Sequence, residues 1–390
     1  MVVLDRPTST TSAPIPVRPA NPRRALRPKD FRPAEFGLLI VTVVAAISIV
    51  WIVFEQLTLL SGTFGFIVCC VVTFLCLYWT VNSLVYGRRV AADRFVSALV
   101  SIAALCMFIP LGLLIVYLVI KGWGLLSIHL FVSTQKGVPE VCTPGVPCPK
   151  PGILHAMVGT AEQIGLAAAM GIPLAILTAV YLSEVGGFGA RAVRIVVTAM
   201  SGVPAIVAGL FVYTFWVITF KFSGFAGSLA LALLLLPTVT RGTEEVLKIV
   251  PNDLREASRA LAAPEWRTVW SVVLPTARSG LITAVLLGTA VALGETAPLL
   301  VTIAGNKILN ANPFHGDQSA LSLLAFTQVK SSQPLDIQLG YTAALVLFMG
   351  VFFLFVSGRF LGSDWLNRKI RNSMNRRRAQ SSSDKNPNVR

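Results

Sequence analysis

Eight stretches of this chain are apolar over the roughly 17–25 residues that a helix needs to cross a bilayer. They run over about 36–55, 64–86, 95–120, 156–182, 193–220, 223–240, 279–304 and 338–361. The sixth, "SGFAGSLALALLLLPTVT", is short and bounded by Pro237. In hydrocarbon each backbone N–H and C=O must find a partner inside the protein, which a helix supplies along its own length. The fold class that follows is an all-α polytopic membrane protein. Composition agrees: the chain is 54% hydrophobic and 13% charged, where soluble domains carry about 25% charged residues.

The formal charge of +15 raises nucleic-acid binding as an alternative. That function wants a folded basic face interleaved with aromatics. Here the basic residues instead flank apolar spans. Twenty-seven of the 33 Lys and Arg fall in the N-terminal arm, the C-terminal tail and the loops after even-numbered spans. Only Lys121, Lys136, Lys150, Lys221, Lys307 and Lys330 fall on the other side. Basic loops stay cytoplasmic, so both termini are expected in the cytoplasm. Residues 1–35 are polar, rich in Pro and Ser/Thr and without an apolar h-region. They read as a disordered basic cytoplasmic arm, not a cleavable signal, and 362–390 as a basic tail.

Two long loops, about 121–155 and 305–337, then face outward. The first holds "EVCTPGVPCPKPG", with Cys142 and Cys148 on the oxidising side. A disulfide and two free thiols are both open readings there. Cys69, Cys70, Cys76 and Cys106 lie within spans and read as small packing residues. No zinc-type spacing occurs, and His129, His155 and His315 are scattered. No Walker A sequence is present, so this chain is not expected to hydrolyse ATP.

Two places carry chemistry beyond spanning. The first is residues 241–278, too long for a simple turn. After Pro251, Asn252 and Asp253 can cap a helix whose apolar Leu254, Ala257 and Leu261 share a face, with Arg255, Glu256 and Arg259 directed elsewhere. Ala262-Ala263-Pro264 then ends it. Such a helix could dock a soluble partner or lie on lipid. The second is "GETAP", residues 294–298 in the seventh span. Pro298 cannot donate to the carbonyl of Gly294 and its ring clashes there, so the helix opens between them. Glu295 sits at that opening. An ionisable group in hydrocarbon costs several kcal/mol unless it faces protein or water. Glu295 is therefore a pathway residue, or a carboxyl held between helices by a neighbouring hydroxyl or Arg. Glu162 in "GTAEQ" is a second unusual acid, expected at the membrane interface.

"EASRALAAPEWRTVWSVVLP" resembles the EAA signature of permease subunits of bacterial ABC importers. It supplies Glu256, Ala257, Ser258, Leu274 and Pro275, and has Ala262 where the family usually has Gly. Because Ala resists φ > 0, a tighter or differently built turn is expected after the helix. "AVYLSEVGGFG" (179–189), "SGVPAIVAGLFVY" (201–213), "LPTVTRGTEEVLKIVP" (236–251) and above all "GETAPLL" (294–300) are similar to the phosphate-specific importer, in its A-type permease. The similarity runs in order from about 156 to 361. It departs at Ala205, often Ser, and at Val291, often Arg.

The resemblance implies a type I ABC importer permease core of six transmembrane helices, 95–361, preceded by two extra spans within 36–94. It implies a coupling segment at 241–278 that seats on an ATPase through Glu256, Ala257, Ser258, Leu261, Ala262, Leu274 and Pro275. It implies a substrate pathway near Pro204, Gly294, Glu295, Thr296 and Pro298. The chain would bind no cofactor; ATP and Mg would sit on a dimeric partner ATPase. Other partners would be a second homologous permease, an extracytoplasmic phosphate-binding protein and the lipid bilayer. The location is the bacterial inner membrane. Alternatives are a permease for another oxyanion and a non-transporting membrane scaffold; no inverted repeat with paired broken helices points to a secondary transporter.

Overall fold

A computed structural model describes residues 33–54, 62–138 and 149–362. The basic tail, most of the arm, and the Cys142–Cys148 pair lie outside the described residues. The chain divides into two compact units, 1–111 and 112–390.

In the first unit α1 (Pro33–Ile52) lies along α2 (Thr63–Tyr86), and Gly87 turns the chain into α3 (Arg88–Gly122), which runs on into the second unit. Asn82 is fully buried and accepts from the Arg94 guanidinium at 2.8 Å; the same guanidinium lies 4.2 Å over the Tyr86 ring. Trp79 and Phe95 meet edge-to-face at 5.5 Å. Cys69, Cys76 and Cys106 are exposed on their helices, so the packing role expected of them within the chain is not what these three do.

The second unit begins with the end of α3 and α4 (Ile128–Val132). It continues through α5 (Leu154–Val180), α6 (Phe188–Ser201), α7 (Ala205–Val212), α8 (Ile218–Phe220) and α9 (Gly224–Ile249). Then come α10 (Asn252–Ala260), α11 (Glu265–Thr268), α12 (Leu274–Gly294), α13 (Ala297–Thr302), α14 (Leu321–Val329) and α15 (Pro334–Gly362). π-helical turns at Tyr181–Val185, Tyr213–Val217 and Val269–Val273 extend α5, join α7 to α8, and join α11 to α12.

α9 is the axis of this unit. Within it 61% of the apolar window is buried, against 28% for each of the spans containing α12 and α15. Lipid tails are as apolar as Leu, so helices in a membrane associate through close fit. α5 provides that fit with Ala167, Gly171 and Ala175, facing Leu231, Ala232, Leu235 and Val239 of α9, and with Ala179, which packs on Leu247. A Cβ on Gly171 would sit 3.0 Å from Leu235 Cδ2. Thr240 adds a hydrogen bond from α9 to the Ala175 carbonyl at 3.3 Å.

Two expectations need correction. The sixth span does not end at Pro237: that residue is buried inside α9, and the helix continues to Ile249. Neighbouring helices can cover the bond a proline removes, so it need not stop a span. The fifth span is not one helix either. α6 and the stretch Ala205–Phe220 meet at 103° across Gly202–Pro204, because Pro204 disfavours the helical region for Val203. The described residues hold six continuous helices long and apolar enough to span, this bent pair, and the shorter apolar Gly37–Ile52. The seventh span breaks where expected, between Gly294 and Ala297.

The two broken spans pack on each other. α7 lies against α13 with no room for a side chain at Gly209: a Cβ there would meet Pro298 Cα at 2.7 Å. Gly209→Val should therefore lower the thermal stability of the detergent-solubilised protein, by the about 1–3 kcal/mol typical of overpacking. Gly165→Ala, whose new methyl would enter open space within α5, should not lower the melting temperature in the same assay.

Candidate functional site

Two regions gather the residues singled out above. The first surrounds the helix break. α12 ends at Gly294, Glu295 is extended at φ −70° and ψ 127°, and Thr296 precedes α13. Pro298 falls in the first turn of α13, where a missing N–H leaves no gap. The Glu295 carbonyl accepts from Ser322 Oγ at 3.0 Å, so α14 covers one of the groups the break frees. The Glu295 side chain is half-buried, and among the described residues its carboxyl forms no ion pair. Val291 is exposed. Pro204 is exposed and caps the start of α7, and that helix carries Gly209 onto Pro298. The "VP" and "GETAP" motifs, about ninety residues apart, thus sit on one helix pair.

Beside the break is a recess of about 370 Å³ lined by Gly294, Thr296, Ser322, Phe326 and Lys330 among others. Lys330 Nζ lies 3.6 Å over the Phe326 ring, placing a cation at a recess that also touches the motif. Sequence reading counted Lys330 only as a loop charge. Glu162 is also more engaged than an interfacial acid. It accepts from Gln318 Nε2 at 2.6 Å, while Gln318 Oε1 accepts from the fully buried Gln163 at 3.2 Å. Gln163 and Gln318 escaped notice; the signal available was an amide inside an apolar span.

The second region is the segment after α9. Its helix forms, but Pro251 occupies the capping position and Asn252 is already helical, so no side-chain cap is made. The apolar face is open, as a helix offered to a partner or to lipid requires. Leu254, Ala257 and Leu261 point outward, Leu261 being 84% exposed. Arg255 and Ser258 are the residues turned toward the protein. Arg255 pairs bidentately with Glu184, from Nε to Oε2 at 3.0 Å and from Nη2 to Oε1 at 2.8 Å. These bonds hold the guanidinium pKa above its ordinary value. Ser258 Oγ meets Thr268 Oγ1 at 2.8 Å. Glu256, Ala262 and Pro275 are exposed, Leu274 half-buried, and Trp266 is 63% exposed. Nearby, Glu244 of α9 binds Arg194 of α6 at 2.8 Å and Lys248 at 2.9 Å.

Ala262 itself adopts φ 55°. The turn keeps the left-handed geometry that a glycine would take, and its N–H donates to the Arg259 carbonyl at 2.8 Å. The differently built turn expected from the Ala is therefore absent.

Comparison with known proteins gives a consistent picture. Residues 171–372 match the family model described as binding-protein-dependent transport system inner membrane component. The chain is 40% identical over 249 residues to the phosphate transport system permease protein PstA 1 of Mycobacterium tuberculosis (strain CDC 1551 / Oshkosh), covering 62% of this chain and 79% of that one. It is 37% identical over 240 residues to PstA of Haemophilus influenzae, covering 60% and 78%. Among solved structures, a chain of the inward-facing MetNI methionine ABC transporter matches at 20% identity and a TM-score of 0.44, over 54% of this chain and 93% of that one.

A left-handed alanine is strained by about 1–2 kcal/mol. Ala262→Gly should accordingly raise the melting temperature in detergent, and Ala262→Val should lower it.

Proposed function

Since the chain belongs to the family of binding-protein-dependent transport system inner membrane components, we propose that it is one of two homologous permease subunits of an ATP-driven phosphate importer. In this reading residues 95–361 form the permease core with both termini cytoplasmic. α10 and its flanks seat on a dimeric ATPase that carries ATP and Mg. The outer loops receive an extracytoplasmic phosphate-binding protein.

The observation that supports docking most directly is the open apolar face of α10. α10 directs Leu254, Ala257 and Leu261 away from its own protein and Arg255 toward it. An apolar stripe left uncovered calls for an apolar surface to receive it. A protein groove and a lipid surface both qualify, and the EAA-like sequence favours the groove. Glu256→Lys, on the exposed face, should abolish co-purification of the ATPase and ATP-driven uptake while membrane insertion is unchanged. Undiminished ATPase capture would remove the docking assignment.

At the break, Glu295, Thr296 and Lys330 suit passage of a partly protonated oxyanion. A carboxylate repels an anion but accepts a hydrogen bond from a phosphate hydroxyl, which fully ionised sulfate cannot offer. Lys330 adds an attractive charge at the recess lined by Gly294 and Thr296. A charge-assisted hydrogen bond is worth about 1.5–3 kcal/mol. Glu295→Gln should thus reduce labelled phosphate uptake by tenfold or so in an assembled, normally expressed transporter. Wild-type uptake by this variant would exclude Glu295 from the pathway. The competing reading, a permease for another oxyanion, predicts uptake of sulfate or molybdate in place of phosphate with the cognate binding protein.

A further inference from the structure

Arg255 and Glu184 are 71 residues apart. Glu184 lies in the π turn ending the α5 span, just before the Gly186-Gly187 turn into α6. Arg255 lies on α10. Besides its two bonds to Glu184, the guanidinium donates from Nη1 to the Val250 carbonyl at 2.7 Å and to Asn252 Oδ1 at 3.2 Å. Nη2 donates to the Leu247 carbonyl at 2.9 Å. All five N–H groups of the side chain are engaged. Both partners are nearly enclosed, with side chains 13% and 9% exposed. A helix arginine is ordinarily a solvated charge; this one joins α10, the C-terminal carbonyls of α9 and the end of α5.

The apolar cluster at the end of α9 includes no α10 residue. Ala179, Leu247, Val250, Val273 and Ala277 form it where α5, α9 and α12 converge. Apolar contact is non-directional, so by itself it lets a helix tilt or slide over its support. A bidentate guanidinium–carboxylate pair fixes both distance and plane. On the same face α10 is tied to α11 by Ser258 and Thr268.

We infer that the Glu184–Arg255 pair is a positioning contact that transmits displacement of α10 to α5 and α9, so that it governs how much transport each ATP drives. This rests on reading α10 as the ATPase-docking helix, and goes beyond it. Glu184 lies on a different element from the exposed α10 face that would meet the ATPase. Its loss acts on transmission and leaves attachment in place.

The test uses the complete transporter, this chain with its second permease, ATPase and binding protein, in proteoliposomes. Phosphate taken up per ATP hydrolysed is measured for wild type, Glu184→Gln, Arg255→Gln, the double variant and Arg255→Lys. Each single change should lower the ratio about tenfold while the ATPase still co-purifies. The double variant should be no worse than the poorer single, because both remove one shared contact. It also avoids an uncompensated buried charge, which guards against a simple folding failure. Arg255→Lys keeps the charge and loses the fork, and should behave like Arg255→Gln. A ratio that stays at the wild-type value while only thermal stability falls would overturn the inference. So would single effects that multiply in the double variant, or a wild-type ratio in Arg255→Lys. If the wild-type assembly imports no phosphate at all, the importer reading itself fails, and the inference with it.

Discussion

A lipid tail cannot hydrogen-bond a peptide group, so any break in a spanning helix must be closed by other protein groups or by water. Much of the second unit follows from that constraint. The two broken spans, at Gly202–Pro204 and Gly294–Ala297, are packed together through Gly209 and Pro298. Ser322 returns from α14 to take up the Glu295 carbonyl. The two breaks thereby share one neighbourhood, flanked by the enclosed helix α9.

The segment after α9 is anchored differently. α10 buries none of its residues fully. It exposes its apolar residues and is held to its own chain by Arg255 and Ser258. Water competes for a charged pair only as far as it can reach it, and here both side chains are largely covered. The clamp can therefore be directional without an apolar face of its own. That arrangement leaves Leu254, Leu261 and Trp266 available to another molecule.

Much of this was legible in one dimension. The placement of the spans, the break at "GETAP" and the helix after Pro251 all followed from local rules: length against bilayer thickness, and the missing N–H of proline. The anchoring of α10 was not legible. Spacing grouped Leu254, Ala257 and Leu261 on one face, but nothing local indicated that Arg255 turns toward its own chain to meet Glu184. Pro237 misled in a different way. A proline weakens a helix in isolation, yet α9 is covered by neighbours along most of its length and continues through it.

The sequence by itself determined that the chain is helical, that it spans a membrane repeatedly, and where two of its motifs interrupt or leave the bilayer. Those are consequences of backbone chemistry that hold residue by residue. Only the tertiary structure decided which distant residues meet: Glu184 with Arg255, Gln163 with Gln318, Gly209 with Pro298. The physical reason is that lipid and protein interior are both apolar. Hydrophobic periodicity, which in a soluble protein points to the core, does not say which side of a membrane helix faces another helix. That choice rests on close fit and on a few polar contacts, and both exist only once the helices are together.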